Sequence, residues 1–179
     1  MKRLIIGVAV TVLVLVVFLL LVFITPVSGD ARTYTKEDVE TLTKCVWGEY
    51  RGYDTDQIAG VAWCVLNRVD DDRYPNDISS VVKQPWQFSG YSASNPVDPR
   101  IEAVVYDVLA RWQAEPQCIG GVGRVLPKEY LYFHGNGVVN LYKTECYSRN
   151  YWDWSLPSPY ATEEPEADVP HFTGERGQK

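Results

Sequence analysis

The stretch Val46-Trp47-Gly48-Glu49-Tyr50-Arg51-Gly52 decides how this chain is interpreted. It closes a helical pattern that begins near Thr35, and its apolar stripe ends on a carboxylate. The positions on this stripe are Leu42, Cys45, Val46 and Glu49. Burial raises the pKa of a carboxyl group, so Glu49 has the features of a general acid for a glycosidic oxygen. The alternative is a structural ion pair with Arg51 or Arg68, and the spacing does not choose between the two.

Helical signals continue along the chain from this stretch. Thr35 with Asp38 resembles a capping box for the first helix, and Asp54 or Thr55 caps a second helix that runs to about residue 69. A short helical turn follows near residues 78–82, and residues 86–95 are typical of a loop or a small hairpin. Asp98-Pro99 is a strong start for another long helix. Residues 130–134 have the composition of a strand, so we expect a mainly α fold with a small β element (α+β).

The N-terminus carries an uncharged, apolar run over residues 4–24, preceded by Lys2 and Arg3. A bilayer core of ~30 Å needs about 20 helical residues at ~1.5 Å each, so residues 1–29 are predicted to be a signal anchor or transmembrane segment. The two basic residues hold the N-terminus inside and place the rest outside the cytoplasm. Cleavage near Val27-Ser28-Gly29, which would release a secreted protein, stays open.

The remainder divides into one domain and a tail. Residues 30–158 are long enough for a single core, and residues 159–179 form an acidic, proline-rich tail that is predicted to be disordered. All 23 acidic residues of the chain follow position 29, whereas two of the 17 basic residues precede it. The external part is therefore acidic, which argues against nucleic acid as a partner.

The four cysteines of this exported part suggest disulfides. Cys118 and Cys146 are the favoured pair because both lie in loop-like surroundings, whereas Cys45 and Cys64 fall on apolar helix stripes typical of core residues. A thiol nucleophile at Cys45 or Cys64 with His134 as base is a third, weaker hypothesis. The chain has two histidines and no C-x-x-C motif, so neither a metal site nor a cofactor is predicted.

A glycosidase usually needs a second carboxylate. The candidates are Asp54, Asp56 and Glu145, and no spacing singles one out. A mechanism with one carboxylate therefore stays open, in which Glu49 protonates the leaving oxygen and then takes a proton from a sugar hydroxyl. The polar and aromatic loop residues Gln87, Ser89, Tyr91 and Asn95 are candidates for contacts to N-acetyl groups and sugar rings, although ordinary loop composition explains them equally well.

Several motifs in order resemble one known family. They are Glu49-Tyr50-Arg51-Gly52, the segment Val65-Leu66-Asn67-Arg68-Val69, Gln87-Phe88-Ser89, Asp98-Pro99 and Tyr132-Phe133-His134. Together they resemble the SleB-like cell-wall hydrolase family, which includes spore cortex-lytic enzymes. The usual Gly-x-His-x-Phe ending of that family is not evident, and Tyr151-Trp152-Asp153-Trp154 occupies its place.

The resemblance implies a lysozyme-like fold that acts on peptidoglycan glycan strands. It implies that Glu49 is the catalytic acid, that the reaction is lytic transglycosylation at the muramic acid–glucosamine bond, and that Gln87 and Ser89 line the groove. Tyr91, Tyr132 and His134 complete the predicted substrate-binding set. The alternative is a non-catalytic, peptidoglycan-binding envelope protein on the same scaffold. A physiological role in spore germination, wall remodelling or phage lysis is not distinguished.

Overall fold

A computed structural model describes residues 32–161 of the chain. Its elements are helices α1 (Lys36–Glu49), α2 (Thr55–Val69), α3 (Ile78–Val82) and α4 (Pro99–Ala114), a 3-10 turn (Glu115–Gln117), and strands β1 (Tyr132–Gly135) and β2 (Asn140–Lys143). The two strands form one antiparallel sheet. The prediction of a mainly helical fold with a small β element is confirmed.

The predictions for the two ends of the chain fall mostly outside residues 32–161. The expected membrane segment at residues 1–29 lies outside the described residues, as does the tail beyond residue 161. From residue 32 to residue 161, every helix is too short or too polar to cross a bilayer. The proposed boundary between domain and tail stays a prediction, and Tyr160 just beyond it donates its hydroxyl to Asp107 Oδ2 of α4 at 2.8 Å.

The starts of the long helices follow from local side-chain capping. Thr35 and Asp38 form the predicted capping box, in which each side chain accepts from the other residue's backbone N–H. Asp54, rather than Thr55, caps α2 by accepting from the N–H groups of the first turn. Asp98 caps α4, and Pro99 occupies the first helical position. These caps satisfy N–H groups that have no partner within the helix.

Helix α2 forms the centre of the core. Its residues from Gln57 to Arg68 are all buried, as expected for a helix that is apolar almost all round. Helices α1 and α4 both pack on it with their apolar stripes, through Leu42 and Val46 on one side and Leu109 on the other. The end of α1, which carries Glu49, is therefore anchored to the most buried element of the molecule.

The sheet packs on α2 through one tyrosine. In the register, Phe133 of β1 lies opposite Tyr142 of β2. The Tyr142 side chain is 1% exposed, and its hydroxyl donates to the Gln57 carbonyl at 3.1 Å. A Cβ atom at Gly60 would lie 2.8 Å from the Tyr142 ring, so glycine is needed there for this contact. The predicted strand at 130–134 begins at Tyr132, and its partner β2 was not predicted.

The predicted disulfide between Cys118 and Cys146 is wrong. Both side chains are exposed and free: Cys118 follows the 3-10 turn, and Cys146 lies in the turn after β2. Cys45 and Cys64 are completely buried, as expected for core residues.

Candidate active site

Glu49 is the last residue of α1, and its side chain is half-buried. Its Oε1 atom accepts a hydrogen bond from the Gly90 N–H at 2.8 Å. Burial raises the pKa of Glu49, and the hydrogen bond from Gly90 opposes this increase without cancelling it. The carboxyl group thus retains its proton at a higher pH than an exposed glutamate does.

The ion pairs considered for Glu49 are not formed. The Arg51 guanidinium lies 4.2 Å from the centre of the Trp47 ring, and Arg68 is directed to other acceptors. Within residues 32–161, Glu49 takes part in none of the ion pairs. A structural salt bridge therefore does not explain why this carboxyl group is buried.

Two glycines bring the loop at residues 86–95 to Glu49. A Cβ atom at Gly48 would lie 2.0 Å from the Gly90 carbonyl oxygen, and one at Gly90 would lie 2.3 Å from the Gly48 carbonyl oxygen. Asn95 holds the same contact because its Nδ2 donates to the carbonyls of Gly90 at 2.8 Å and Lys44 at 3.0 Å. The position of the Gly90 N–H is thus fixed by backbone packing that no larger residue permits.

Arg68 joins the two chain segments beside Glu49. It is 3% exposed; its Nε donates to the Leu131 carbonyl at 2.7 Å, and its Nη1 donates to Gln87 Oε1 at 2.8 Å. Three aromatic rings lie within 4.8–5.3 Å of its guanidinium carbon: Tyr74, Phe88 and Tyr132. These rings and acceptors accommodate the buried cation without a carboxylate among the described residues.

The predicted loop residues lie close to Gly90 along the chain, and Gly90 binds Glu49. Gln87 and Ser89 are exposed, and Ser89 immediately precedes Gly90. Gln87 is held by Arg68, which leaves its amide nitrogen available for a ligand. Tyr91 is half-buried and packs against the core, so it supports the loop more than it lines the surface.

The two predicted residues of β1 differ in their connection to the site. The Tyr132 hydroxyl bonds the Tyr74 hydroxyl at 2.7 Å, and its ring faces Arg68, so it belongs to the same cluster as Gln87. His134 is exposed, and its ring contacts the edge of Tyr151 at 5.4 Å. The structure therefore connects Gln87, Ser89 and Tyr132 with Glu49 through Gly90 and Arg68, and it places His134 farther along the strand.

The candidates for a second carboxylate have other roles. Asp54 caps α2, Asp56 accepts from Ser158 Oγ at 2.5 Å, and Glu145 is exposed in the turn after β2. The pKa of Glu49 is raised by burial, not by a neighbouring carboxylate. Among residues 32–161, no second acidic group is thus coupled to Glu49, and no group of His, Cys, Asp or Glu residues is arranged to hold a metal ion.

The thiol alternative receives no support from the structure. Burial raises the pKa of Cys64 to about 12 and that of Cys45 well above its usual value, whereas a nucleophilic cysteine needs a lowered pKa. Both cysteines are core residues, and His134 is exposed on β1.

Sequence reasoning missed two parts of the site. Asn140 of β2 donates its Nδ2 to the Glu49 carbonyl at 3.3 Å, and its N–H donates to Gln57 Oε1 at 3.0 Å; no local signal distinguishes it from other loop asparagines. The contact between Gly48 and Gly90 had a partial signal, because a glycine next to Glu49 at a buried helix end indicates close approach of another backbone.

Comparison with known proteins gives one family. The family model described as Cell Wall Hydrolase matches residues 53–156. The spore cortex-lytic enzyme of Oceanobacillus iheyensis is 28% identical over 92 residues, which cover 49% of this chain and 33% of that protein. The enzyme of the same name from Bacillus subtilis is 26% identical over 90 residues, 48% of this chain and 29% of that protein. The chain spans about a third of the length of these curated relatives.

Two solved structures are similar to the chain. The catalytic domain of the germination-specific lytic transglycosylase SleB from Bacillus anthracis is 25% identical, with a TM-score of 0.44 over 59% of this chain and 79% of that one. The catalytic domain of the Bacillus cereus SleB protein is 24% identical, with a TM-score of 0.45 over 62% and 84%. Glu49 lies just before the range that the family model matches.

Proposed function

We propose, because the chain belongs to the cell wall hydrolase family, that its domain cleaves the glycan strands of peptidoglycan with Glu49 as the catalytic acid. The substrate class follows from the family and from the curated relatives, which are named spore cortex-lytic enzymes. The residue assignment is our own, since Glu49 lies outside the matched range. It rests on the surroundings of this carboxyl group.

The observation that carries the assignment is a half-buried carboxyl group without a cation beside it. The pKa of Glu49 is raised by burial, and Gly90 binds only one of its oxygens, at 2.8 Å. Burial thus shifts the carboxyl group towards its protonated form, and the other oxygen has no protein hydrogen-bond partner among the described residues. A general acid needs this combination of a retained proton and a free oxygen.

We further propose that the reaction is lytic transglycosylation at the muramic acid–glucosamine bond. Glu49 gives its proton to the glycosidic oxygen while the bond from that oxygen to C1 of the muramic acid breaks. The resulting Glu49 carboxylate then accepts the proton of the C6 hydroxyl of the same sugar. The C6 oxygen bonds to C1 and closes an anhydro ring, so no water is consumed. The other roles of Asp54 and Asp56 and the exposed position of Glu145 support this route over hydrolysis.

We also propose that the domain acts outside the cytoplasm, held near the wall by the N-terminal segment or secreted after its cleavage. The support is the apolar run over residues 4–24 behind two basic residues. Protease digestion of intact cells that express the full chain with a C-terminal tag tests this: an external domain loses the tag, whereas an internal one keeps it.

The experiment for the chemistry compares Glu49→Gln with Glu145→Gln on purified peptidoglycan. Glutamine keeps the size of the side chain and an acceptor for Gly90 but has no proton to transfer, so the release of fragments falls at least about 100-fold. Glu145→Gln removes the charge of an exposed candidate and leaves the rate unchanged. Full activity of the Glu49 variant rules out the assignment.

Mass spectrometry of the released fragments separates the two reactions. Anhydro-muramic ends indicate transglycosylation, and reducing muramic ends indicate hydrolysis and contradict the one-carboxylate route. Wild-type protein that binds peptidoglycan but releases no fragments would instead support the non-catalytic alternative.

A further inference from the structure

Trp86 combines two unusual features. Its backbone lies in the left-handed region, with φ of 67°, where a bulky residue is strained by a cost of order 1 kcal/mol. Its side chain is 96% exposed, so the indole contributes almost no burial to the fold. The strain of this backbone is therefore not offset by burial of the ring, and folding alone does not explain it.

Trp154 provides the comparison within the same chain. It has a similar backbone angle, with φ of 56°, but its ring packs edge-on against Tyr142 at 5.7 Å and contacts the core. Burial of this ring offsets the strain of its backbone. The same backbone conformation therefore has a structural explanation at Trp154 and none at Trp86.

The position of Trp86 connects it with the site around Glu49. It directly precedes Gln87, which Arg68 holds at 2.8 Å, and it comes four residues before Gly90, which binds Glu49. Four residues span at most about 14 Å of chain. Trp86 thus lies on the loop that contacts Glu49, and its backbone is within the length of a short oligosaccharide from Gly90.

We propose that Trp86 is a stacking platform for a pyranose ring of the glycan strand, in a subsite beside Glu49. The flat face of an indole matches the C–H-rich face of a sugar ring, and the left-handed backbone turns that face out of the protein. This proposal rests on the proposed function, since it takes its ligand from the reaction at Glu49. A lipid surface is the other ligand that exposed tryptophans bind, but the excess of acidic residues after position 29 disfavours an anionic membrane.

The test measures binding rather than turnover, in the Glu49→Gln background of the full chain. The probes are soluble peptide-free glycan strands and an oligomer of N-acetylglucosamine. Aromatic stacking contributes about 0.5–1.5 kcal/mol, so Trp86→Gly weakens binding roughly two- to twelvefold. Trp86→Asn gives the same loss, because asparagine also adopts the left-handed conformation but has no ring. Trp86→Tyr keeps most of the affinity.

Three controls separate this role from a structural one. Trp86→Gly has an unchanged or higher Tm, because glycine adopts a positive φ without strain, whereas a structural tryptophan would lower Tm when removed. Tyr147→Asn removes a 96% exposed ring from the turn after β2 and leaves binding unchanged. Vesicles of phosphatidylglycerol and phosphatidylcholine replace the glycan in the third control, and a loss of vesicle binding in Trp86→Gly would overturn the glycan assignment.

The outcomes distinguish the proposal from the function on which it rests. If Glu49→Gln abolishes cleavage while Trp86→Gly binds glycan as tightly as its parent, the stacking proposal is wrong and the proposed function stands. If the wild-type chain neither binds nor cleaves glycan, the proposed function fails, and the stacking proposal fails with it. Weakened glycan binding by both Trp86→Gly and Trp86→Asn, with Tm maintained, supports the platform.

Discussion

Two glutamates lie at the C-terminal ends of helices in this molecule, and their surroundings are opposite. Glu49 ends α1, has one backbone N–H as its partner, and has a raised pKa. Glu115 follows α4 and forms ion pairs with Arg32, Arg124 and Lys128, which lower its pKa from 4.5 to about 2. The same residue type near the end of a helix thus has a raised pKa in one case and a lowered pKa in the other.

The difference shows how a fold separates a reactive carboxyl group from a structural one. The negative end of the helix dipole disfavours a carboxylate at both positions. At Glu115 three cations overcome it, whereas at Glu49 the nearby arginines are occupied, Arg51 by Trp47 and Arg68 by Leu131 and Gln87. The difference between the two glutamates depends on which groups the nearby arginine and lysine side chains bind. Each of the following predictions tests one part of this difference.

The largest effect is expected on stability at Glu115. Its side chain is only 12% exposed, so Glu115→Gln removes the carboxylate partner of the largely buried Arg124 and lowers the free energy of unfolding by about 2–3 kcal/mol. Urea denaturation of wild type and variant at pH 7 measures this loss. The stabilisation by Glu115 is present above its unfolded pKa of 4.5 and is lost as the pH falls toward 2, so wild type and variant converge in acid.

Glu49→Gln is the matched control for that measurement. Because folding raises the pKa of Glu49, the protonated carboxyl group contributes stability at low pH. This contribution is lost as the pH rises through the raised pKa of the folded protein. Replacing it with a neutral side chain therefore leaves stability at pH 7 unchanged or slightly higher. A loss as large as that of Glu115→Gln would show that Glu49 is a structural charge.

Gly48→Ala should disrupt the contact between the loop and the end of α1 that carries Glu49. The new Cβ atom would lie 2.0 Å from the Gly90 carbonyl oxygen, so the loop has to move at a cost of about 2 kcal/mol. The Gly90 N–H then leaves Glu49, and glycan cleavage falls more than about tenfold. Gly120→Ala is the control, because nothing lies within 4 Å of its Cβ position. Equal activity of the two variants would contradict the role of this contact.

The pH dependence of glycan cleavage tests the state of Glu49 directly. A general acid must carry its proton, so kcat/KM falls as the pH rises above the raised pKa of Glu49, by about tenfold, or ~1.4 kcal/mol, per pH unit. A rate that instead increases with pH through this range would identify Glu49 as a base. The profile of Glu115→Gln should have the same alkaline limb as wild type.

Asn95→Ala is expected to have the smallest effect. It removes two hydrogen bonds, one to the Gly90 carbonyl within the loop and one that holds the loop to the Lys44 carbonyl of α1, and lowers the free energy of unfolding by about 1 kcal/mol. The contact between Gly48 and Gly90 remains, so cleavage decreases by less than in Gly48→Ala. Asn76→Ala in an exposed turn serves as the control, and a larger loss of activity than in Gly48→Ala would reverse this order.

Local signals made much of the fold predictable. The capping residues Thr35, Asp54 and Asp98 act on N–H groups in their own first turns, so their effect is visible in a few residues of sequence. Strand β2 has no such signal: it is short, and it is stabilised by the contact of Tyr142 with Gly60, which lies far away in sequence. The expected disulfide failed for a related reason, because loop-like surroundings do not bring two exposed thiols together.

The sequence pointed to individual residues of the candidate site, on α1 and on the loop, but not to the contacts that join them. The spacing of the helix identified Glu49 as a carboxyl group on an apolar stripe. The N–H of Gly90 is invisible in the sequence, because every residue except proline carries one and only the tertiary contact selects it. The sequence also did not show which groups Arg68 binds. Its guanidinium bonds Leu131 and Gln87, and not the Glu49 carboxyl group for which it was one candidate partner.

Arg68 also determines how the molecule opens locally. One guanidinium bonds the Leu131 carbonyl ahead of β1 and the Gln87 side chain on the loop, so neither segment separates from α2 without breaking a bond to a buried cation. The loop and the start of the strand therefore open as one cooperative unit rather than by independent fraying. We therefore expect their amide hydrogens to exchange with solvent at a common rate.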